Sequence, residues 1–179
     1  MASAFQERKL RRMFAAFDAD GDGYLREEDF AALVARWSRL PGVGPGTELR
    51  TRLETLLMGW WAALLDAGDA NGDGAVDMGE LLSLVDMLPA MVADVTATAG
   101  TVFDAVDTDG DGVISPEEHR RLVETWNGRP ADVDGVFELL DLNGDGHLSR
   151  DEFALLWRQF WISDDPAEPG NWLCGRFAA

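Results

Sequence analysis

One twelve-residue pattern occurs four times in the chain: DADGDGYLREED at 18–29, DANGDGAVDMGE at 69–80, DTDGDGVISPEE at 107–118 and DLNGDGHLSRDE at 141–152. The first residues of successive copies are 51, 38 and 34 positions apart, so the last two copies form a tight pair and the first two are separated by a longer insertion. Such internal repetition points to one local unit used four times. Each copy crowds three or four carboxylates onto its places 1, 3, 5, 9 and 12 and has glycine at its fourth and sixth places. Carboxylates that close repel one another unless cations hold them, so the repeat asks for a metal.

Apolar residues at helical spacing flank every copy. Phe5, Leu10, Met13, Phe14 and Phe17 precede the first; Phe30, Leu33, Val34 and Trp37 follow it. The PGVGPG run at 41–46 breaks that helix, and Thr47 begins another whose stripe holds Leu49, Leu53, Leu56, Leu57, Trp60, Trp61, Leu64 and Leu65. Leu81, Leu82, Val85 and Leu88 follow the second copy, with Pro89 as a stop or kink. A weaker helix former, 90–106, brings Val92, Val95, Val102, Phe103 and Val106 to the third copy, and Leu122, Val123 and Trp126 lead away to a break at NGRPA. Val133, Val136, Phe137 and Leu140 enter the fourth, and Phe153, Leu156, Trp157 and Phe160 leave it. The pattern predicts eight helices in four helix-loop-helix units.

The remaining composition excludes several classes. Against 33 Asp plus Glu stand 15 Lys plus Arg, a formal charge of −18, which disfavours nucleic acid and anionic lipid. The most apolar segment, LETLLMGWWAALL, is too short to span a membrane, and the first residues do not form a secretory signal. A single cysteine, Cys174, and two histidines fit a reducing compartment and give no zinc site. His119 and His147 read as solvent-facing or incidental, and no nucleophile has a partner at triad spacing, so no enzyme is expected. The seven tryptophans read as core filling on the Leu and Phe stripes, the alternative being an aromatic cavity for a small organic ligand or a partner helix. Met58, Met78, Met87 and Met91 are too scattered to make a target groove.

The motif D-x-[DN]-x-[DN]-G-x5-E is matched in full by the last three copies, and by the first except for its terminal Asp29. It resembles the EF-hand calcium-binding loop. Calcium takes six to eight hard oxygens, and carboxylates at places 1, 3 and 5 converge when Gly23, Gly74, Gly112 or Gly146 turns the chain at place 6. Place 8 is Leu25, Val76, Ile114 or Leu148, which suits antiparallel pairing of neighbouring loops. Asp77, Ser115 and Ser149 stand three residues before Glu80, Glu118 and Glu152, the capping-box spacing, and Pro116 suits a first helical position. In the first copy Arg26 takes the place of a capping residue, and Asp29 is one methylene shorter than Glu. That shortening favours a smaller, wetter sphere and weaker calcium binding, or mixed calcium and magnesium binding.

The four hands, the long first spacing, Asp29 and the PGNWLCG segment of the tail together resemble the sarcoplasmic calcium-binding proteins and their bacterial calerythrin-like relatives. The resemblance implies an all-α fold of four EF-hand units in two pairs packed into a compact globule, with short antiparallel β contacts between paired loops. The pairs would span 1–88 and 89–161, with 162–179 folding back across them. The implied ligands are Asp18, Asp20, Asp22, the Tyr24 carbonyl and Asp29; Asp69, Asn71, Asp73, the Ala75 carbonyl and Glu80; Asp107, Asp109, Asp111, the Val113 carbonyl and Glu118; and Asp141, Asn143, Asp145, the His147 carbonyl and Glu152. Three or four Ca2+ ions are implied, with Mg2+ at the first site. The second hand is often degenerate in this family, yet 69–80 is intact here. The expected role is a cytoplasmic, monomeric calcium buffer; the alternative is a sensor that opens an aromatic groove to a protein target. The related photoproteins hold a chromophore among His, Trp and Tyr, whereas this chain's one tyrosine lies inside the first loop.

Overall fold

The computed structural model describes residues 3–85 and 92–176. Helices α1 (Ala4–Phe17), α2 (Glu27–Trp37), α3 (Glu48–Gly68), α4 (Met78–Ser83), α5 (Val92–Val106), α6 (Pro116–Asn127), α7 (Phe137–Leu140) and α8 (Arg150–Ile162) flank the four loops two by two. Between them lie strands β1 (Tyr24–Leu25), β2 (Val76–Asp77), β3 (Val113–Ile114) and β4 (Leu148–Ser149). The places of Leu88, Pro89, Met87, Met91 and Phe177, and the side chains of Val92 and Val95, lie outside what is described.

The helix starts follow the side-chain chemistry written into the repeat. Ser115 and Ser149 accept the Glu118 and Glu152 amides, Asp77 accepts that of Glu80, and each glutamate reaches back to its capping residue's amide. Thr47 caps α3, and Pro116 occupies the first turn of α6, where its missing amide is no loss. Two helices are shorter than the apolar pattern predicts. α7 keeps only Phe137–Leu140, because Gly135 lies at φ +71°, a conformation no right-handed helix contains, and the Asp134 amide turns back to the Asp132 side chain. α4 stops at Ser83, whose hydroxyl takes the Glu80 carbonyl, and Gly79 weakens it further.

β1 pairs antiparallel with β2, and β3 with β4; Leu25 stands opposite Val76, and Ile114 opposite Leu148. All four are fully buried. At about 1.5–3 kcal/mol each, their burial fastens the first hand to the second and the third to the fourth.

A single apolar core runs through both pairs. At its centre Trp60 of α3 stacks on Trp157 of α8 at 6.3 Å, while Phe17 of α1 meets Trp126 of α6 at 5.3 Å. Core filling is thus the role of the buried Trp37, Trp126 and Trp157. At the edge of this layer Asp104 of α5 accepts from Arg52 of α3 at 3.0 Å and Arg150 of α8 at 2.5 Å.

Residues beyond α8 form a 3-10 helix, Pro169–Trp172, against α7 and α8, and bury Leu173 and Cys174. Arg12 donates to the Cys174 and Gly175 carbonyls at 2.8 and 2.9 Å, and Asn127 to the Cys174 carbonyl at 3.2 Å. Lys9, the chain's one lysine, is 9% exposed and donates to the Gln159 and Ser163 carbonyls and to Asn171 Oδ1 at 3.3, 3.0 and 3.0 Å. A cation placed at the carbonyl end of α8 complements the helix dipole. Burial nevertheless pushes the ammonium from its ordinary 10.5 down to about 8.

Between those two values the unfolded chain holds this proton and the folded chain has released it, so the Lys9 contribution to stability rises with pH across that window. The difference in unfolding free energy between the parent and Lys9→Met is expected to shift by about 3 kcal/mol in the parent's favour from pH 7.5 to 10.5. Urea titrations at both pH values measure it, and a pH-independent difference contradicts this burial effect.

Candidate metal centres

Each incoming helix ends on the first acid of its loop. The amides of Asp18, Asp69, Asp107 and Asp141 close the last helical turns onto Phe14, Leu65, Phe103 and Phe137 carbonyls. A carboxylate at a helix's carbonyl end is disfavoured by the dipole and must find donors elsewhere. The loop supplies them: Asp18 accepts the amides of Gly21, Asp22 and Gly23 at 2.8, 3.2 and 3.0 Å. Asp69 and Asp141 do the same with their own fourth, fifth and sixth residues, and Asp107 with its fourth and sixth. This wrapping needs positive φ twice per loop; in the first loop Gly21 lies at +73° and Gly23 at +87°. The second turn was legible in the sequence as place 6. The first, at place 4, shows in the sequence only as a glycine shared by all four copies.

Places 3 and 5 are held by Asx turns. Asp20, Asn71, Asp109 and Asn143 accept the amide two residues on, as do Asp22, Asp73, Asp111 and Asp145. This leaves the second oxygens of Asp20, Asp73, Asp109 and Asp111 for other partners, while Asp22 Oδ2 meets Arg26 and Asp145 Oδ2 accepts the Asn143 side-chain amide at 3.0 Å. Oxygens of Asp18, Asp20 and Asp22, and of Asp107, Asp109 and Glu118, lie within 4.8 Å of one another. Loops two and four carry Asn at place 3 and so present fewer acids to such a cluster.

The twelfth residue folds back over its loop. Glu80 accepts the amides of Ala70, Asn71 and Asp77; Glu118 accepts from Thr108 and Ser115 through both amides and both hydroxyls. Burial pushes the Glu118 carboxyl up, but those four donors outweigh it and hold it below the ordinary range. Glu152 accepts only from Ser149, and its Oε1 is buried without a hydrogen-bond partner. An orphaned, buried carboxylate oxygen in a loop that also carries Asp141, Asn143 and Asp145 is what a hard dication would satisfy.

The first loop differs. Asp29 accepts the Ala19 and Arg26 amides at 2.9 and 2.8 Å, one with each oxygen. The Arg26 guanidinium reaches Asp22 Oδ2 and lies 4.9 Å over the Tyr24 ring. The Tyr24 amide, and then Arg26, hold the Asp22 carboxyl below its ordinary range.

The structure thus brings the twenty sequence-assigned residues onto four loops, the carbonyl donors Tyr24, Ala75, Val113 and His147 lying in or just before the paired strands. His119 corrects the sequence reading: it is fully buried, not solvent-facing, packed on Phe137 and hydrogen-bonded through Nε2 to the Leu173 carbonyl at 2.9 Å. Burial pushes it down to about 4, so it is neutral at ordinary pH. His147 is exposed.

Two antiparallel couples of helix-loop-helix units, each loop lined with hard oxygens, define a calcium-binding protein of the helix-loop-helix class. EF-hand domain pair families match residues 96–158 and 1–36, and the EF hand family matches 62–85. The rice protein named probable calcium-binding protein CML17 is 30% identical over 86% of this chain and 93% of its own length. The chain belongs to the EF-hand calcium-binding proteins. Sarcoplasmic calcium-binding proteins I, III and IV of Branchiostoma lanceolatum are 24% identical over 96% of this chain and 97% of their own. The solved sarcoplasmic calcium-binding protein from amphioxus superimposes with a TM-score of 0.75 at 22% identity, covering 98% of this chain and 99% of that one. The chain also matches rice calcium-dependent protein kinase 3 at 30% identity, but spans only 26% of its length. Among the described residues no helix is long and apolar enough to cross a membrane.

Proposed function

We propose that this protein is a cytoplasmic, monomeric calcium buffer that takes up three or four Ca2+ ions, with Mg2+ competing at the first loop. The ligands in this reading are the twenty loop residues named above, divided between an amino-terminal pair, 1–88, and a carboxy-terminal pair, 89–161. Bound calcium would supply the positive charge that lets the acids of each loop share one point. The protein's own work is to position them: helix ends set the first acid, Asx turns aim the third and fifth, and the capping glutamate folds back from the outgoing helix.

The observation that favours a buffer over a sensor is the chain's filling of its own groove. A sensor must offer apolar surface to a target helix. Here Leu173 and Cys174 are buried at the carboxy-terminal pair, with hydrogen bonds from Arg12, Asn127 and His119 holding their carbonyls. In the same core Trp60 and Trp126 both pack on Trp157.

Calorimetric titration with calcium, with and without magnesium, tests the reading alongside hydrophobic-dye binding. Expected are three or four calcium sites, a magnesium-dependent loss of heat at one of them, and dye fluorescence that calcium leaves unchanged. A large calcium-induced rise in dye binding would establish the sensor alternative instead.

A further inference from the structure

Two of the four loops carry an arginine: Arg150, at place 10 of the fourth, turns away to Asp104, whereas Arg26 stands at place 9 of the first, where the others carry Asp77, Ser115 and Ser149. Its guanidinium pairs with Asp22 Oδ2, while Asp22 Oδ1 is taken by the Tyr24 amide. Both oxygens of one expected ligand are therefore engaged. The Tyr24 ring, 4.9 Å beneath the guanidinium, holds the charge over the mouth of the loop. Asp29, one methylene shorter than the glutamate that ends each other loop, accepts the Ala19 and Arg26 amides, one with each oxygen.

We propose that Arg26 is a tethered cation that competes with divalent metal for the first loop, and that entry of an ion there requires the guanidinium to leave Asp22. Net charge alone does not set this loop apart. Counting places 1, 3, 5, 9 and 12, the first loop with Arg26 and the fourth loop have the same formal charge, yet among the described residues no loop cation pairs with a fourth-loop acid, Arg150 being paired with Asp104. What distinguishes the first loop is an oxygen held by a cation; the matching Asp145 Oδ2 of the fourth loop accepts only the neutral Asn143 amide, at 3.0 Å. The consequence is a site that fills last and empties first as calcium changes, and one that salt affects, since raised ionic strength weakens the exposed pair. This inference rests on the reading that the first loop takes a divalent ion, and assigns the residue that sets its affinity.

The test uses the full chain labelled with 15N-glycine, in which Gly23, Gly74, Gly112 and Gly146 give one amide reporter per loop. An exposed ion pair accounts for a few-fold in affinity, and direct repulsion of a dication adds to it. Arg26→Met, which keeps an unbranched apolar stem and removes the charge, is expected to lower the calcium midpoint of Gly23 about tenfold and to leave Gly112 and Gly146 within about twofold. Arg26→Lys is expected to stay near the parent. An unmoved Gly23 midpoint in Arg26→Met, or equal effects of Met and Lys, overturns the role of Arg26 while leaving calcium binding by the other loops standing. Failure of all four glycine signals to respond to calcium would instead overturn the ligand assignment on which the inference rests.

Discussion

Excess chelator is expected to lower the thermal midpoint of this protein by about 20 °C relative to the calcium-saturated state. Each site held at a hundred times its dissociation constant contributes about 2.7 kcal/mol to the folded state, and a chain of this size loses about 2–4 °C per kcal/mol. Three such sites give the stated shift, and a fourth enlarges it. The structural reason is the cost of assembling each loop without a counter-charge. Asp18, Asp20 and Asp22 present oxygens within 4.8 Å of one another, as do Asp107, Asp109 and Glu118. Glu152 Oε1 is buried with no partner. Metal-free protein must open these clusters or bear their repulsion, so ion binding and folding share one free energy. Thermal unfolding by circular dichroism in calcium and in chelator measures the difference; a shift below about 2 °C would contradict the coupling.

Much of this fold could be read before any coordinates, because its rules are local. The branched residue at place 8 stated the strand pairing of Leu25 with Val76 and of Ile114 with Leu148. The three-residue spacing of Ser115 to Glu118 and Ser149 to Glu152 stated where two helices begin. These features depend on residues within one turn of each other, or on the same place in a repeated unit.

Features that depend on distant backbone were not legible. His119 follows a loop glutamate and looks like surface, but its partner is a carbonyl 54 residues away. Lys9 and Arg12 resemble any charged face of a first helix, yet they close on carbonyls more than 140 positions later in the chain. Arg36 likewise donates to the carbonyls ending α1 and α6, at Ala16 and Trp126. A carbonyl carries no side-chain signature, so no composition or spacing announces it as a partner. The shortened α7 is a different kind of miss: its apolar spacing was right, but Gly135 at positive φ outranked periodicity.

Trp157 joins aromatic rings from α3, α6 and α8, and its removal should be the most damaging single change in the core. The ring is fully buried, stacks on Trp60 at 6.3 Å and Phe153 at 6.0 Å, and meets Trp126 and Trp161 edge-on at 5.8 Å. Its indole N–H donates to Thr98 on α5 at 3.0 Å. Trp157→Ala removes the transfer free energy of the ring and leaves a cavity between elements from both pairs, for a loss of about 4–5 kcal/mol in urea unfolding. Trp157→Phe keeps most of the volume and should recover more than half of that loss. The functional consequence follows from the same geometry. If the aromatic layer is what keeps the groove shut, calcium-loaded Trp157→Ala should bind hydrophobic dye several-fold more strongly than the parent, while its loop glycines still respond to calcium. A loss below about 2 kcal/mol, with no added dye binding, would mean that Lys9, Arg12, His119 and Asp104 hold the two pairs together without the ring at their centre.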